Sequence, residues 1–86
     1  MAEQLIGTIT HYFSKAGVAA IKITAGELHV GDTIRVKGHT SEFTQPVDSM
    51  QVNHAAVQVA HPGDEIGIKV ADHAREHDQV FRIVPD

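Results

Sequence analysis

Apolar and polar residues alternate in short runs along most of the chain, and turn residues separate the runs. In the first run, Ile6, Thr8 and Thr10 fall on one face of a strand and Ile9 falls on the other. A second, β-rich run extends over residues 18–23. The segment between these runs, residues 14–17, ends in a glycine, which can adopt the positive φ that closes a hairpin. We therefore expect the first two strands to pair antiparallel.

Four further strands are predicted after this hairpin. The third is centred on Ile34 and Val36, and the fourth covers residues 43–53, with a bulge near 48–49 because Met50 and Val52 are out of phase with its first half. Residues 54–60 are apolar but short and are interpreted as a connecting segment. A fifth strand covers 66–70 and a sixth 80–84, and the pattern does not decide which face of the sixth strand points inward.

These elements predict an all-β fold. About six short strands with turn signals at intervals of roughly eight to twelve residues are typical of a small sandwich or barrel. Closing the sheet would remove its exposed edges, which favours a six-stranded antiparallel closed Greek-key barrel. With 86 residues, the chain is predicted to form one domain over residues 1–86.

Composition restricts the function classes. Eleven Asp and Glu against seven Lys and Arg argue against a general electrostatic attraction to nucleic acid, although a local basic face remains possible. The chain contains no cysteine, so disulfides and thiolate chemistry are excluded. The N-terminal sequence has no signal-peptide pattern, and no apolar run is long enough to span a bilayer. A cytoplasmic location is the expectation.

One motif occurs twice: HVGDTIRVK begins at His29 and HPGDEIGIK begins at His61. Two His and two Asp could indicate a metal site, but nothing in the spacing brings four side chains to one ion. The same letters suit a turn in which Gly permits the backbone conformation and Asp bonds nearby N–H groups. A degraded third copy, residues 76–80, has His77 in place of Gly, and His tolerates such conformations better than most residues. We predict three turns and no metal ligands.

Catalytic residues are not predicted. Ser14, Ser41 and Ser49 lie in or beside turns, outside any nucleophile motif. His73 and His77 are four residues apart but lack the Glu that a zinc-protease motif places directly after the first His. No cofactor is predicted either, because the chain has no glycine-rich phosphate loop.

Turn and core residues follow one another in a set order along the chain: Gly7 and Ile9, Gly17 to Ala19, Val30 to Asp32 and Ile34, Ser49 and Met50, and Pro62 to Asp64 with Ile66 to Ile68. This order resembles domain two of translational GTPases such as elongation factor Tu, from about Leu5 to Ile83. The opening segment, residues 10–19, is closer still to small stand-alone translation-elongation-factor-like proteins, and a similar barrel ends the collagenase-like peptidases. The resemblance implies the six-stranded barrel and, for the translation factors, contact with tRNA or ribosomal RNA.

Two partner classes follow from the resemblance. The first is RNA or a ribonucleoprotein, tRNA or ribosome-related, met by a partly basic face with an aromatic side chain near it. The alternative is a protein partner, such as a collagenase-like peptidase, on which the module acts in trans. Ordinary solubilising charge explains the same residues without any partner. The candidate partner contacts are Arg35, Lys37, Lys69, Lys22, Tyr12 and Lys15.

Overall fold

Ten β-strands make up the secondary structure of the computed structural model, which describes residues 2–39 and 42–84. The described residues contain no helix, and hence none long and apolar enough to cross a membrane. The strands are β1 (Ala2–Phe13), β2 (Val18–Ile23), β3 (Leu28–His29), β4 (Thr33–Lys37), β5 (Glu42–Pro46), β6 (Met50–Val52), β7 (Ala55–Val57), β8 (Val59–Ala60), β9 (Glu65–Lys69) and β10 (Gln79–Val84).

Every strand pair is antiparallel. Eight strands form one sheet in the order β5-β4-β10-β1-β2-β9-β6-β7, and β3 pairs separately with β8. The prediction of an all-β antiparallel fold is thus confirmed. All six predicted strands are present, as β1, β2, β4, β5 with β6, β9 and β10.

The hairpin between β1 and β2 forms as predicted. The backbone N–H groups of Ala16 and Gly17 both donate to the Phe13 carbonyl, at 3.2 and 2.8 Å. Gly17 has φ 67°, the left-handed conformation that glycine adopts at little cost. The sequence therefore encodes this connection locally.

Two segments differ from the prediction. Residues 47–49 interrupt the fourth predicted strand. Val47 still follows the register of β5 with β4, since its N–H donates to the Asp32 carbonyl, but Gly31 N–H donates to its carbonyl, so two residues oppose one as in a β-bulge. The interpretation of 54–60 as a connecting segment was wrong. Asn53 and His54, both with positive φ, form a two-residue turn that pairs β7 back onto β6, and β8 follows.

A single cluster of buried side chains fills the interior. Ile21, Ile23, Ile34 and Val36 enter it in the predicted alternation, and burying each isoleucine stabilises the fold by about 1.5–3 kcal/mol. On β10, Val80 is fully buried while Phe81 and Ile83 point outward, which settles the face that the pattern left open.

β1 departs from strict alternation. Ile6 and Ile9 lie at positions of opposite phase, yet both are buried. The pairing register shifts between Leu5 and Gly7 against β10, and again between Ile9 and His11 against β2. Such β-bulges turn an extra side chain toward the core.

A side chain links β5, at one end of the large sheet, to β9 and the segment after it. Gln45 Nε2 on β5 donates to the Lys69 carbonyl at 2.9 Å, and its Oε1 accepts the Ala71 N–H at 2.7 Å. Within residues 2–39 and 42–84, no backbone ladder joins the outer strands β5 and β7. Complete closure into a Greek-key barrel, and the assignment of residues 1–86 to one domain, stay predictions.

Candidate interaction surfaces

The repeated motif forms turns, as the sequence predicts. Asp32 Oδ2 accepts the N–H of His29, and Asp64 Oδ2 accepts the N–H of His61, both at 2.9 Å. In return, the N–H of each Asp donates to the carbonyl of its His at 3.0 Å. The intervening glycines, Gly31 and Gly63, have φ of 100° and 95°.

The degraded third copy has the same geometry. Asp78 Oδ2 accepts the Arg75 N–H at 3.0 Å, and the Asp78 N–H donates to the Arg75 carbonyl at 3.2 Å. His77 adopts φ 72° at the position that glycine holds in the other two turns. The three Asp carboxylates therefore fix the backbone of their own turns.

The imidazoles of the first two turns meet at a single carboxylate. Glu27 lies 3.9 Å from His29 Nε2 and 3.4 Å from His61 Nε2. The Nδ1 atoms face Asp32 and Asp64 at 3.6 and 3.9 Å. All of these pairs are partly exposed, and among the described residues no three His, Asp or Glu side chains are arranged so that they could hold a metal ion.

Arg35 is held between two carboxylates. Its Nη1 lies 2.7 Å from Glu3 Oε2 on β1, and its Nη2 lies 2.7 Å from Glu42 Oε1 on β5. These hydrogen bonds, that to Glu3 first, raise the pKa of the Arg35 guanidinium above its ordinary value. The guanidinium is therefore already bound by two carboxylates of its own chain in the absence of any partner.

Apolar side chains lie beside this ion-pair cluster. Leu5, 42% exposed, pairs in register with Phe81, and Phe81 is the register partner of Arg35. Ile83 follows two residues later on the same face of β10 and lines a groove of about 720 Å³ with Glu3, Arg35 and Glu42. We call the surface formed by Glu3, Leu5, Arg35, Glu42, Phe81 and Ile83 the Arg35 face.

A second groove lies at the β1–β2 hairpin. Phe13, 50% exposed, lines this groove together with Glu65 and with small residues such as Ala20 and Gly67. The groove measures about 500 Å³, and we call it the Phe13 groove. The Glu65 carboxylate accepts a hydrogen bond from the Thr10 hydroxyl at 2.9 Å.

The predicted contact residues are distributed over several strands. Arg35 and Lys37 lie on β4, Lys69 lies on β9 and Lys22 lies on β2. Lys15 is exposed in the β1–β2 turn. Their role as partner contacts stays a prediction.

Tyr12 has a different environment from the one expected of a stacking residue. It is half-buried, packs against the core and contacts the His73 ring edge-on, with 4.6 Å between ring centroids. Its neighbour Phe13 is the exposed aromatic at this hairpin.

Sequence reasoning missed Glu3, Glu42 and Leu5. The hairpin register of β4 with β5 gives only a partial signal for Glu42, which pairs in register with Lys37 and is a diagonal neighbour of Arg35. No local sequence feature indicates Glu3, which is 32 residues from Arg35 in the chain. The two side chains meet across β10, the strand that lies between β1 and β4 in the sheet.

The serines and the paired acids lack catalytic partners among the described side chains. Ser14 lies in the hairpin turn and Ser49 between β5 and β6, and neither hydrogen-bonds a histidine there. Ser41 lies outside the described residues. Asp64 fixes its turn while Glu65 contacts Thr10, so the two adjacent carboxylates diverge.

Most of the chain matches a known protein family. Residues 16–80 match the family model described as elongation factor Tu domain 2. The chain belongs to the elongation factor Tu domain 2 family. Solved structures agree with this assignment: two crystal structures of the C-terminal domain of a Geobacillus thermoleovorans protein assigned to the U32 peptidases share the fold. Their TM-scores are 0.84 and 0.86 at 19% and 18% identity, covering 90% and 94% of this chain and 96% and 93% of those chains.

Curated relatives are proteases. The chain is 36% identical over 77 residues to an uncharacterised protease of Methanocaldococcus jannaschii, which covers 88% of the chain and 19% of the relative. It is 36% identical over 78 residues to a collagenase of Porphyromonas gingivalis, which covers 90% of the chain and 22% of the relative. The chain thus spans about a fifth of the length of these relatives.

These findings correct one expectation. The interpretation of the chain as an RNA-binding, translation-factor-like protein of protein biosynthesis was wrong, because the curated relatives are proteases and collagenases. The likeness to elongation factor Tu is one of fold, and fold alone does not carry function. The Arg35 ion pairs also argue against RNA binding, since a guanidinium bound to two carboxylates is poorly placed to bind phosphate.

Proposed function

We propose that the chain is a non-enzymatic protein-interaction module that associates in trans with a peptidase of the U32 type. The observation that carries this proposal is that nearly the whole chain aligns with about a fifth of named proteases and collagenases. In those relatives the matching segment is part of the same polypeptide as the rest of the protease. Here we propose that the same kind of domain meets its peptidase by non-covalent association.

A binding role also agrees with the chemistry of the side chains. Polar groups that could take part in catalysis are engaged in holding turns or in ion pairs, as with Asp32, Asp64 and Arg35. The two grooves are partly open to solvent, unlike the enclosed clefts that bury most of a small-molecule ligand. We include the predicted cytoplasmic location in this proposal.

Rigid display is the proposed mechanism. The sheet and the three Asp-held turns fix the loops before any partner arrives, so association orders few additional residues. Lower ordering cost leaves more of the contact free energy as affinity.

The test is association with a purified U32-type peptidase of the same organism, measured by biolayer interferometry and by size-exclusion chromatography with light scattering. We expect a stoichiometric complex that persists after nuclease treatment. The chain alone should not cleave gelatin, and adding it should alter the rate at which the peptidase does so. Lack of association at tens of micromolar, or gelatin cleavage by the chain alone, would contradict the proposal.

A further inference from the structure

We propose that the Arg35 face is the docking surface of this module and that it binds a partner segment presenting Lys or Arg beside apolar side chains. The inference rests on the proposed function and adds to it the location and the chemistry of the contact. It follows from three properties of the surface: exposed apolar area, an excess of negative charge, and carboxylate oxygens left without partners.

Several apolar side chains are exposed or partly exposed on this face. Leu5 is one of two large hydrophobic side chains that are strongly exposed among the described residues, and it pairs directly with Phe81. Phe81 and Ile83 are themselves only half-buried and extend the surface along β10. Contiguous exposed apolar side chains rimmed by polar ones mark interaction sites more often than isolated ones do.

Charge at the centre of the face is negative. Two carboxylates, Glu3 and Glu42, surround one guanidinium, which leaves one negative charge in excess. Asp32 also lines this groove, but Arg82 Nε lies 3.2 Å from its carboxylate and offsets its charge. The whole chain carries a net charge of −4, so it attracts a basic partner at long range as well.

Hydrogen-bonding capacity remains at this centre. Arg35 binds Oε2 of Glu3 and Oε1 of Glu42, and the described side-chain hydrogen bonds do not use the other oxygen of either carboxylate. The Glu42 and Glu3 side chains are 58% and 37% exposed. An incoming ammonium or guanidinium group can therefore bind both carboxylates while its apolar neighbours pack on Leu5 and Phe81.

The Phe13 groove does not have this combination. Glu65 is the acidic side chain that lines it, and the Thr10 hydroxyl already donates to Glu65. Charge complementarity to a basic segment is therefore stronger on the Arg35 face, and the Phe13 groove provides an internal comparison for the experiment.

The experiment uses two synthetic peptides and the complete 86-residue chain labelled with ¹⁵N. One heptapeptide alternates lysine and leucine between terminal glycines, and its counterpart has glutamate in place of lysine. We expect the lysine peptide to shift the amide resonances of Leu5, Arg35 and Phe81, and to bind at least tenfold more tightly than the glutamate peptide. Raising the salt concentration should weaken the lysine peptide selectively.

Single substitutions then test each component of the face. Glu42→Gln and Leu5→Thr should each weaken lysine-peptide binding at least threefold, while Arg35→Gln should strengthen it because it releases both carboxylates. Glu76→Gln is the matched control: Glu76 is an exposed acid whose described ion pair is with His11 at 3.5 Å, away from this face. Thermal melting of each variant verifies that it is folded.

Several results would overturn the proposal. These are equal binding of the two peptides, no shifts at millimolar peptide, shifts confined to the Phe13 groove, or weaker binding after Arg35→Gln in a folded variant. A peptidase complex that forms while the peptide test fails places docking elsewhere on the module. A positive peptide test without a peptidase complex contradicts the proposed function and leaves the chemistry of the face intact.

Discussion

The turns that end at Asp64 and at Asp78 have the same hydrogen-bond pattern and different surroundings. In both, the carboxylate accepts the N–H of the residue three positions earlier. The Asp64 side chain is 37% exposed, whereas Asp78 is 6% exposed as a residue. The left-handed residue before the Asp is Gly63 in one turn and His77 in the other.

The difference shows that the carboxylate defines the hydrogen-bond pattern of the turn, whereas packing against other parts of the chain determines how buried the carboxylate is. Backbone pairing with a neighbouring strand does not distinguish the two turns. Ile9 N–H donates to the Asp78 carbonyl and His77 N–H donates to the Ile9 carbonyl, and Ile23 makes the same two bonds with Asp64 and Gly63. Gly38, in contrast, lies against the Asp78 carboxylate, so closely that a side chain at residue 38 would collide with it. Packing against Gly38 therefore buries the Asp78 side chain, although residues 75–77 of the same turn are exposed, whereas the Asp64 side chain remains at the surface.

Asp78→Ala should produce the largest loss of stability. It leaves the Arg75 N–H without its acceptor in a place that water reaches poorly and opens a void under Gly38, so we expect a loss of about 2–3 kcal/mol in the free energy of unfolding. Asp64→Ala should cost about 1 kcal/mol, because water can replace its exposed acceptor. Urea unfolding followed by circular dichroism measures both. Equal losses would show that burial does not distinguish the two turns.

The sequence predicts the fold well where each strand has one buried face. Residues 18–23 and 33–37 alternate cleanly because their inward side chains all enter one core. Prediction fails where pairing is irregular: the bulges of β1 bury both Ile6 and Ile9, and Gly31 and Asp32 both pair with Val47 where the fourth predicted strand is interrupted. These features depend on distant partners, which local periodicity does not contain.

The candidate site is less predictable than the fold, for a similar reason. Arg35 is recognisable as an outward cation from its period-two spacing with Lys37, but its binding state depends on Glu3 and Glu42. Glu3 becomes its neighbour only through the strand order β4-β10-β1. Sequence patterns therefore identify which side chains point outward, and the order of the strands determines which of these charged side chains form ion pairs with one another.

Gly63→Ala and Gly31→Ala should each cost about 1 kcal/mol, or slightly more, through backbone conformation alone. At both positions a Cβ would meet nothing within 4 Å, so the loss comes from holding alanine at φ of 95° and 100°. Differential scanning calorimetry of the two variants gives the change in stability. Unchanged melting temperatures would mean that these turns relax to another conformation without cost.

His77→Gly should have the smallest effect, within about 0.5 kcal/mol of the parent protein. Glycine removes the strain of an exposed histidine at φ 72° but increases the conformational entropy of the unfolded chain, and these two contributions oppose each other. The converse change, Gly63→His, introduces that strain into the surface turn and should cost about 1 kcal/mol. Chemical denaturation of the two variants side by side gives the comparison. A loss above about 1 kcal/mol for His77→Gly would show that the imidazole itself stabilises the third turn, so that His there is more than a tolerated substitute for Gly.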